Sequence, residues 1–121
     1  MGNREKGSTA RACYTTPSLD LVFELLSSRR RRQALYYLSE RSDGVASVDE
    51  IADYVHTNDD RSDCSADGRS EIAAGLRHVH LPKLEDAGVI DHDARSQTVR
   101  YWSQPSLEEW LEHAYHKESF Q

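Results

Sequence analysis

The chain has 121 residues and a mass of 13.8 kDa, which is the size of one domain with a single hydrophobic core. Its longest apolar stretch, Leu19–Leu26, is interrupted by two acidic residues and is far shorter than the roughly 20 residues of a membrane span, and residues 1–16 lack the apolar centre of a signal peptide. We therefore expect neither a membrane protein nor a secreted one. The 21 acidic residues outnumber the 15 basic ones for a net charge of −6, a balance that by itself weighs against a nucleic-acid partner.

The first part of the chain predicts an arm followed by two helices. Residues 1–17 are polar and show no repeating apolar pattern, which indicates a flexible arm. From Ser18, a helix cap, apolar residues follow at helical spacing; they are Leu19, Val22, Phe23 and Leu26. The serines at 27 and 28 predict a break, and a second helix carrying the run Arg29–Arg32 is expected to continue to about Arg41.

A turn and a short extended segment, Val45–Ser47, precede the third predicted helix. Ser47 and Glu50 have the spacing of a capping box, so this helix is expected to begin after Ser47 and to continue to about His56. Its inward-facing residues are expected to be Val48, Ile51, Ala52 and Val55. The segment Thr57–Gly68 is rich in Asp, Ser and Asn and is predicted to be a long acidic loop.

The fourth predicted helix begins near Arg69 or Ser70 and ends at Ala87, where Gly88 allows a left-handed terminus. On a regular helix, one arc of apolar side chains would face the core; it comprises Ile72, Ala73, Leu76, His80, Leu84 and Ala87. Pro82 lies within this helix and removes an amide bond to the carbonyl of His78, so a kink is expected there.

The last third of the chain predicts a β-hairpin and a terminal helix. Strands are expected at Val89–His92 and Thr98–Trp102, joined by a turn at residues 93–97. A final helix is expected to be opened by Pro105 together with a second capping-box pattern, Ser106 to Glu109. Its apolar stripe consists of Leu107, Trp110, Leu111, Ala114 and Tyr115. The predicted fold class is therefore α+β and mostly helical.

This order of elements resembles a winged helix-turn-helix domain, and two segments carry the resemblance. Residues 25–38, LLSSRRRRQALYYL, are similar to the opening of ArsR-like regulators, and residues 80–90, HLPKLEDAGVI, are similar to the end of their recognition helix as it enters the wing. The proline form, H-L-P-K-L-x-x-A-G-V, is closest to a group of mostly uncharacterised haloarchaeal winged-helix proteins. An acidic composition with only three lysines is also typical of salt-accumulating halophiles.

The resemblance covers Leu19 to Trp102 and implies a DNA-binding transcriptional regulator. Residues 1–17 would be a flexible arm, residues 18–104 the winged helix-turn-helix domain, and residues 105–121 a C-terminal helix. In regulators of this architecture the terminal helix commonly forms a homodimer, here through Leu107, Trp110, Leu111, Ala114 and Tyr115. The long acidic loop departs from a tight helix-turn-helix, so a degenerate protein–protein interaction module without specific DNA binding remains the alternative.

The expected partner is double-stranded DNA, read by the outward face of the fourth helix. The candidate contacts on that helix are Arg69, Ser70, Ala74, Arg77 and His78. Arg95 and Arg100 in the hairpin would contact phosphate, or would instead pair with Asp91 and Asp93 across the strands. Within the run Arg29–Arg32, one or two arginines are expected to pair with Glu24 or with the acidic loop, and the others to contact phosphate.

No motif predicts catalysis or a bound cofactor. The sequence lacks a glycine-rich phosphate loop, an H-E-x-x-H motif and a nucleophile elbow, so we expect a binding protein and not an enzyme. His80 is expected to be a core histidine, while His113 and His116 have a spacing that could hold a metal only with a third ligand. The two cysteines, Cys13 and Cys64, are too few for a disulfide framework, which favours a reducing cytoplasm.

Overall fold

The computed structural model describes residues 17–58 and 66–119. The predicted arm, except for Pro17, and residues 59–65 of the predicted acidic loop lie outside these ranges. The described helices are α1 (Leu19–Leu26), α2 (Arg29–Glu40), α3 (Val48–Thr57), α4 (Ala66–Gly75), α5 (Leu81–Asp86) and α6 (Pro105–Ser119), with a π-helical segment at Leu76–His80 between α4 and α5. The described strands are β1 (Val45–Ser47), β2 (Ile90–Asp93) and β3 (Thr98–Tyr101). The fold is thus α+β and mostly helical, as predicted.

Serine caps determine where α1 and α2 begin. The Ser18 hydroxyl accepts a hydrogen bond from the Leu21 amide at 3.1 Å, and the Ser28 hydroxyl accepts one from the Arg31 amide at 3.3 Å. Both predicted starts and the break between the helices are confirmed. The predicted stripe of α1 is wrong at Leu19 and Phe23, which are exposed, because α1 turns Val22 and Leu25 toward the core instead.

The capping box of α3 is also confirmed. The Ser47 hydroxyl accepts from the Glu50 amide at 3.0 Å, and the Glu50 carboxylate accepts from the Ser47 amide at 2.8 Å. All four predicted core residues of this helix are buried. The loop after α3 is shorter than predicted, because α4 already begins at Ala66.

The three strands form an antiparallel sheet in the order β1-β3-β2. In the hairpin, Asp91 lies opposite Arg100 and His92 opposite Val99. The strand β2 begins one residue later than expected because the Val89 amide still donates to the carbonyl of Leu84, at 3.1 Å, in the turn that ends α5. Gly88 has φ of +78° in that turn, the left-handed terminus that the sequence predicts.

The final helix begins where the sequence predicts, but its predicted capping box does not form. It begins at Pro105, and the Glu108 amide donates to the Gln104 carbonyl at 2.9 Å, so Ser106 lies inside the helix and caps nothing. The Glu108 carboxylate instead accepts hydrogen bonds from the hydroxyls of Tyr101, at 2.8 Å, and Ser103, at 2.9 Å. A proline is favoured at the first helical position because its missing amide would have no partner there. The second predicted capping box is therefore wrong, and Glu108 anchors α6 to β3.

One core joins all these elements. It contains the buried apolar residues of every helix and strand, among them Leu107 and Leu111 of α6. These two side chains, which the sequence predicts in a dimer interface, are buried within their own domain. Of the helices described between residues 17 and 119, none has both the length and the apolar character of a membrane span.

Candidate nucleic-acid interface

The predicted fourth helix is one long helical stretch, residues 66–86, that contains a π turn. The Leu81 amide donates to the carbonyl of Leu76, five residues earlier, in place of the usual four. Pro82 follows at once; it has no amide hydrogen, and in a regular helix its ring would clash with the carbonyl of His78. The kink expected at Pro82 therefore takes the form of a widened turn just before it.

The π turn changes which residue faces the core. A regular helix would place His80 one turn after Leu76, but the extra residue of the turn brings Leu81 there, and Leu81 is fully buried. His80 is only partly buried, and Pro82 is exposed. The predicted arc is thus wrong at His80, whose place in the core Leu81 takes, and correct at its other positions, since Leu84 is fully buried and Ala87 packs partly buried against the core.

The opposite face of the long helix is exposed to solvent. Ser70, Arg77 and His78 are exposed, and Ala74 is partly exposed, so four of the five predicted DNA contacts on this helix share an accessible side. Glu71 and Val79 are exposed on the same helix. This face thus carries one arginine, one histidine and one carboxylate, with a small residue between them.

The fifth predicted contact, Arg69, has partners inside the domain. Its guanidinium pairs with the carboxylate of Asp53 and lies 3.6 Å from that of Asp49, both on α3. These contacts raise the pKa of Arg69 above its ordinary value, the hydrogen bond to Asp53 being the main cause. The packing of the first turn of α4 against α3 thus directs Arg69 toward two carboxylates, which sequence spacing alone does not reveal.

The hairpin presents its two arginines differently. Arg95 is exposed in the turn after β2, where its amide donates to the Asp93 carboxylate at 3.0 Å. The guanidinium of Arg100 lies over the Trp102 ring, 4.9 Å from its centre, and the indole of Trp102 donates to the Asp91 carboxylate at 2.9 Å. Arg100 is thus held on an aromatic surface opposite Asp91, and both arginines reach solvent.

Two arginines of the run Arg29–Arg32 turn inward and cap α1. Arg31, only 6% exposed, donates to the carbonyls of Leu25 at 2.7 Å and Glu24 at 2.6 Å, and Arg32 donates to the carbonyl of Leu26 at 2.6 Å. Cations are favoured at a helix C-terminus, where the last carbonyls lack the regular helical donor four residues later. Arg31 also interacts electrostatically with the carboxylate of Glu24, one of the expected partners, whereas residues 59–65 of the acidic loop, the other one, lie outside the described residues.

Arg32 also connects α1 to the end of α6. Its guanidinium donates two parallel hydrogen bonds to the Glu118 carboxylate, both at 3.0 Å, and the Tyr36 hydroxyl donates to the same carboxylate at 2.5 Å. These bonds, chiefly the one from Arg32, hold the pKa of Glu118 below its ordinary value. Burial is the main cause that raises the pKa of Tyr36. This network links three helices, and no sequence pattern indicated it.

The H-L-P-K segment contacts the same region of α1 and α2. The Nδ1 atom of His80 lies 3.4 Å from a guanidinium nitrogen of Arg31, and Lys83 pairs with the Glu24 carboxylate. Burial, with the nearby charges of Arg31 and Arg30, lowers the pKa of His80, so its ring is neutral at neutral pH. The interpretation of His80 as a histidine satisfied within the fold is supported, and the segment joins α5 to the N-terminal helices.

This lowered pKa predicts a pH-dependent stability. Because the folded state binds a proton at His80 less readily than the unfolded state, stability is full above the unfolded value of about 6.5 and falls as the pH decreases below it. The melting temperature is expected to fall between pH 7.0 and about 5.5, and His80→Gln should reduce that fall. His78→Gln, an exposed neighbour, is the control and should behave as the wild type.

If the melting temperature falls equally with pH in the wild type and in His80→Gln, this pH dependence does not come from His80. The measurement stays above about pH 5 because the pKa values of Glu24 and Glu118 are lowered by Lys83 and Arg32, and the stability that these carboxylates contribute is lost only below their ordinary value of 4.5.

The described residues give no sign of a metal centre. Within residues 17–58 and 66–119, no group of three or more His, Cys, Asp or Glu side chains is placed to hold a metal ion. His113 and His116 lie on α6 near aromatic rings. The ring centre of His113 is 6.2 Å from that of Trp110, and the ring centre of His116 is 6.1 Å from that of Tyr115. Cys13 and Cys64 lie outside the described residues.

Comparisons with known proteins give one match. A family model described as a domain of unknown function, DUF7344, matches residues 23–100, which is more than half of the chain. The matched region extends from α1 into β3 and includes the whole long helix. No curated protein and no solved structure shows significant similarity to the chain.

Proposed function

The chain belongs to the DUF7344 family, and we propose that its domain is a winged helix-turn-helix that binds double-stranded DNA as a transcriptional regulator. In this proposal α3 and the long helix form the helix-turn-helix, the long helix is the recognition helix, and the β2–β3 hairpin is the wing. The single observation that carries it is the accessible side of the long helix, on which Ser70, Ala74, Arg77 and His78 are turned away from the core.

The side chains on that face suit the major groove. An arginine such as Arg77 can donate two hydrogen bonds to guanine, and a small residue such as Ala74 permits close approach to a thymine methyl group. Ser70 and His78 add polar groups that can contact base edges or phosphate. On the wing, Arg95 and Arg100 are placed at and near the tip, where phosphate or minor-groove contacts are common. A cytoplasmic location, with high salt screening the net charge of −6, is part of the same proposal.

The pairing of Arg69 favours a second candidate, a winged-helix module that binds another protein. Asp49 and Asp53 already neutralise this arginine, and the exposed Glu71 and Val79 suit a protein surface better than a phosphate backbone. For Arg69 to contact DNA, it would have to exchange these carboxylates for phosphate. We therefore omit Arg69 from the proposed DNA contacts.

Fluorescence anisotropy separates the two candidates. The purified full chain is titrated with a duplex from its own promoter and with a scrambled duplex, from about 0.2 M to about 2 M potassium chloride, because binding driven by phosphate contacts weakens steeply with salt. Preference for the promoter that persists at high salt supports the DNA-binding regulator. Weak binding that ignores sequence and disappears with salt overturns it and favours the protein-binding module.

Two substitutions distinguish base contacts from phosphate contacts. Arg77→Ala is expected to relax specificity at one base pair, at a cost of about 1–3 kcal/mol on the preferred duplex and much less on the scrambled one. Arg95→Ala, the matched control on the wing, should weaken binding to both duplexes by a similar factor. It should also reduce the slope of the logarithm of affinity against the logarithm of salt concentration by about 1, which corresponds to one lost phosphate contact. Equal losses on both duplexes for Arg77→Ala would contradict its role in reading bases.

A further inference from the structure

The most exposed of the large apolar side chains that the structure describes is Val79, in the π turn of the long helix. It is 56% exposed, and it directly follows Arg77 and His78, which are also exposed. The other large apolar side chains of residues 68–86 are all buried; they are Ile72, Leu76, Leu81 and Leu84. Val79 therefore stands apart from the core side chains of its own helix.

Regular helical spacing would place Val79 in the core. Ile72, Leu76 and Val79 stand at positions i, i+4 and i+7, which share the inward stripe of an amphipathic helix, and the first two are buried. The π turn interrupts this stripe, because the wider turn brings Leu81 into the core after Leu76. The exposure of Val79 is thus a consequence of the π turn.

The π turn leaves in water an apolar side chain that a regular helix would bury, and burial of such a side chain stabilises a fold. Turns of this kind occur frequently at functional sites. The turn is also held from its inner side, where Nδ1 of His80 lies 3.4 Å from a guanidinium nitrogen of Arg31. Val79 is therefore presented to solvent by a segment that the domain itself fixes.

We propose that Val79 packs on the 5-methyl group of a thymine in the duplex that the long helix binds. The inference rests on the proposed DNA-binding function and deepens it by naming an A·T base pair of the target. Val79 has no charge and no polar side-chain atom, so it offers nothing to phosphate. In the major groove, the thymine methyl group is the feature that an apolar side chain contacts.

The position of this thymine follows from the neighbours of Val79. Arg77 lies two residues earlier, which corresponds to about 3 Å along a helix axis. Adjacent base pairs are separated by about 3.4 Å, a similar distance. The thymine is therefore expected within about two base pairs of the pair at which Arg77→Ala relaxes specificity.

Deoxyuridine substitution tests the contact, since uracil differs from thymine only by the missing 5-methyl group. The thymines of the promoter duplex are replaced one at a time, and anisotropy gives the dissociation constant of each duplex for the full-length wild type and Val79→Ala. For at least one thymine near the Arg77 base pair, we expect a loss of about three- to fivefold in the wild type, the size of one buried methyl group. The same replacement should cost Val79→Ala less than about 1.5-fold.

Leu19→Ala is the matched control. Leu19 is 53% exposed, nearly as much as Val79, but it lies on α1, outside the proposed interface. This variant should lose as much affinity as the wild type at the same thymine. Because each comparison involves two duplexes that differ by one methyl group, a general effect of a substitution on the protein cancels.

The outcomes separate this inference from the function on which it rests. If the wild type prefers its promoter but no thymine is sensitive, or if Val79→Ala loses as much as the wild type at every thymine, the inference is overturned and the DNA-binding function stands. Val79→Ala that binds every duplex as the wild type does also overturns it and favours a protein partner for this side chain. A wild type without promoter preference overturns the proposed function and this inference together.

Discussion

Replacing Arg31 by alanine is expected to lower the free energy of unfolding by about 3 kcal/mol, because it removes a buried charged donor and leaves the buried carbonyl of Leu25 without its hydrogen bond. The guanidinium of Arg31 supplies the hydrogen bonds of the Leu25 and Glu24 carbonyls and also contacts Nδ1 of His80. Its removal therefore weakens both the cap of α1 and the contact between α1 and the π turn. Urea denaturation at one fixed protein concentration measures the loss, since a dimer would make the stability depend on concentration.

The matched control is Arg29→Ala, two residues earlier in the same run. The Nε atom of Arg29 is buried without a hydrogen-bond partner, so its removal leaves no donor or acceptor newly unpaired and should cost less than about 1 kcal/mol. Similar losses for the two variants would mean that the run acts through its total charge and not through the specific cap that Arg31 forms.

Leu81→Ala is expected to lower the free energy of unfolding by about 3 kcal/mol, because Leu81 is fully buried and its truncation leaves a cavity. The control is His80→Ala. In a regular helix His80 would face the core, and this change would reduce the free energy of unfolding more than Leu81→Ala. With the π turn in place, His80→Ala should reduce it by less than about 1 kcal/mol. A larger loss for His80→Ala than for Leu81→Ala would contradict the π turn. The same urea titrations provide this comparison.

The local features of the fold could be predicted from the sequence because each depends on residues a few positions apart. Ser18, Ser28 and the Ser47–Glu50 box mark helix starts through bonds to amides three residues away. Gly88 marks a helix end because it tolerates a positive φ. The same logic failed for Ser106, which lies inside a helix that already begins at Pro105, so that its hydroxyl caps nothing.

The candidate site was predicted only in part. Spacing correctly predicted the exposed side of the long helix with Arg77 and His78, because both directly follow the buried Leu76 and point away from the core. It did not predict that Arg69 would meet Asp49 and Asp53, since those contacts depend on how α4 packs against α3. It also did not predict the contact between Phe23 and Trp110, because these two residues are far apart in the chain.

The sequence by itself determined the order of the elements, most of their caps and the α+β class, all of which follow from short-range hydrogen bonding and apolar periodicity. The tertiary structure decided which of the charged side chains are engaged inside the domain. Four consecutive arginines look alike in sequence, yet the open carbonyls at the end of α1 and the carboxylate of Glu118 engage Arg31 and Arg32. It also decided the phase of the long helix, because the wider turn before Pro82 brings Leu81 into the core and leaves His80 beside Arg31.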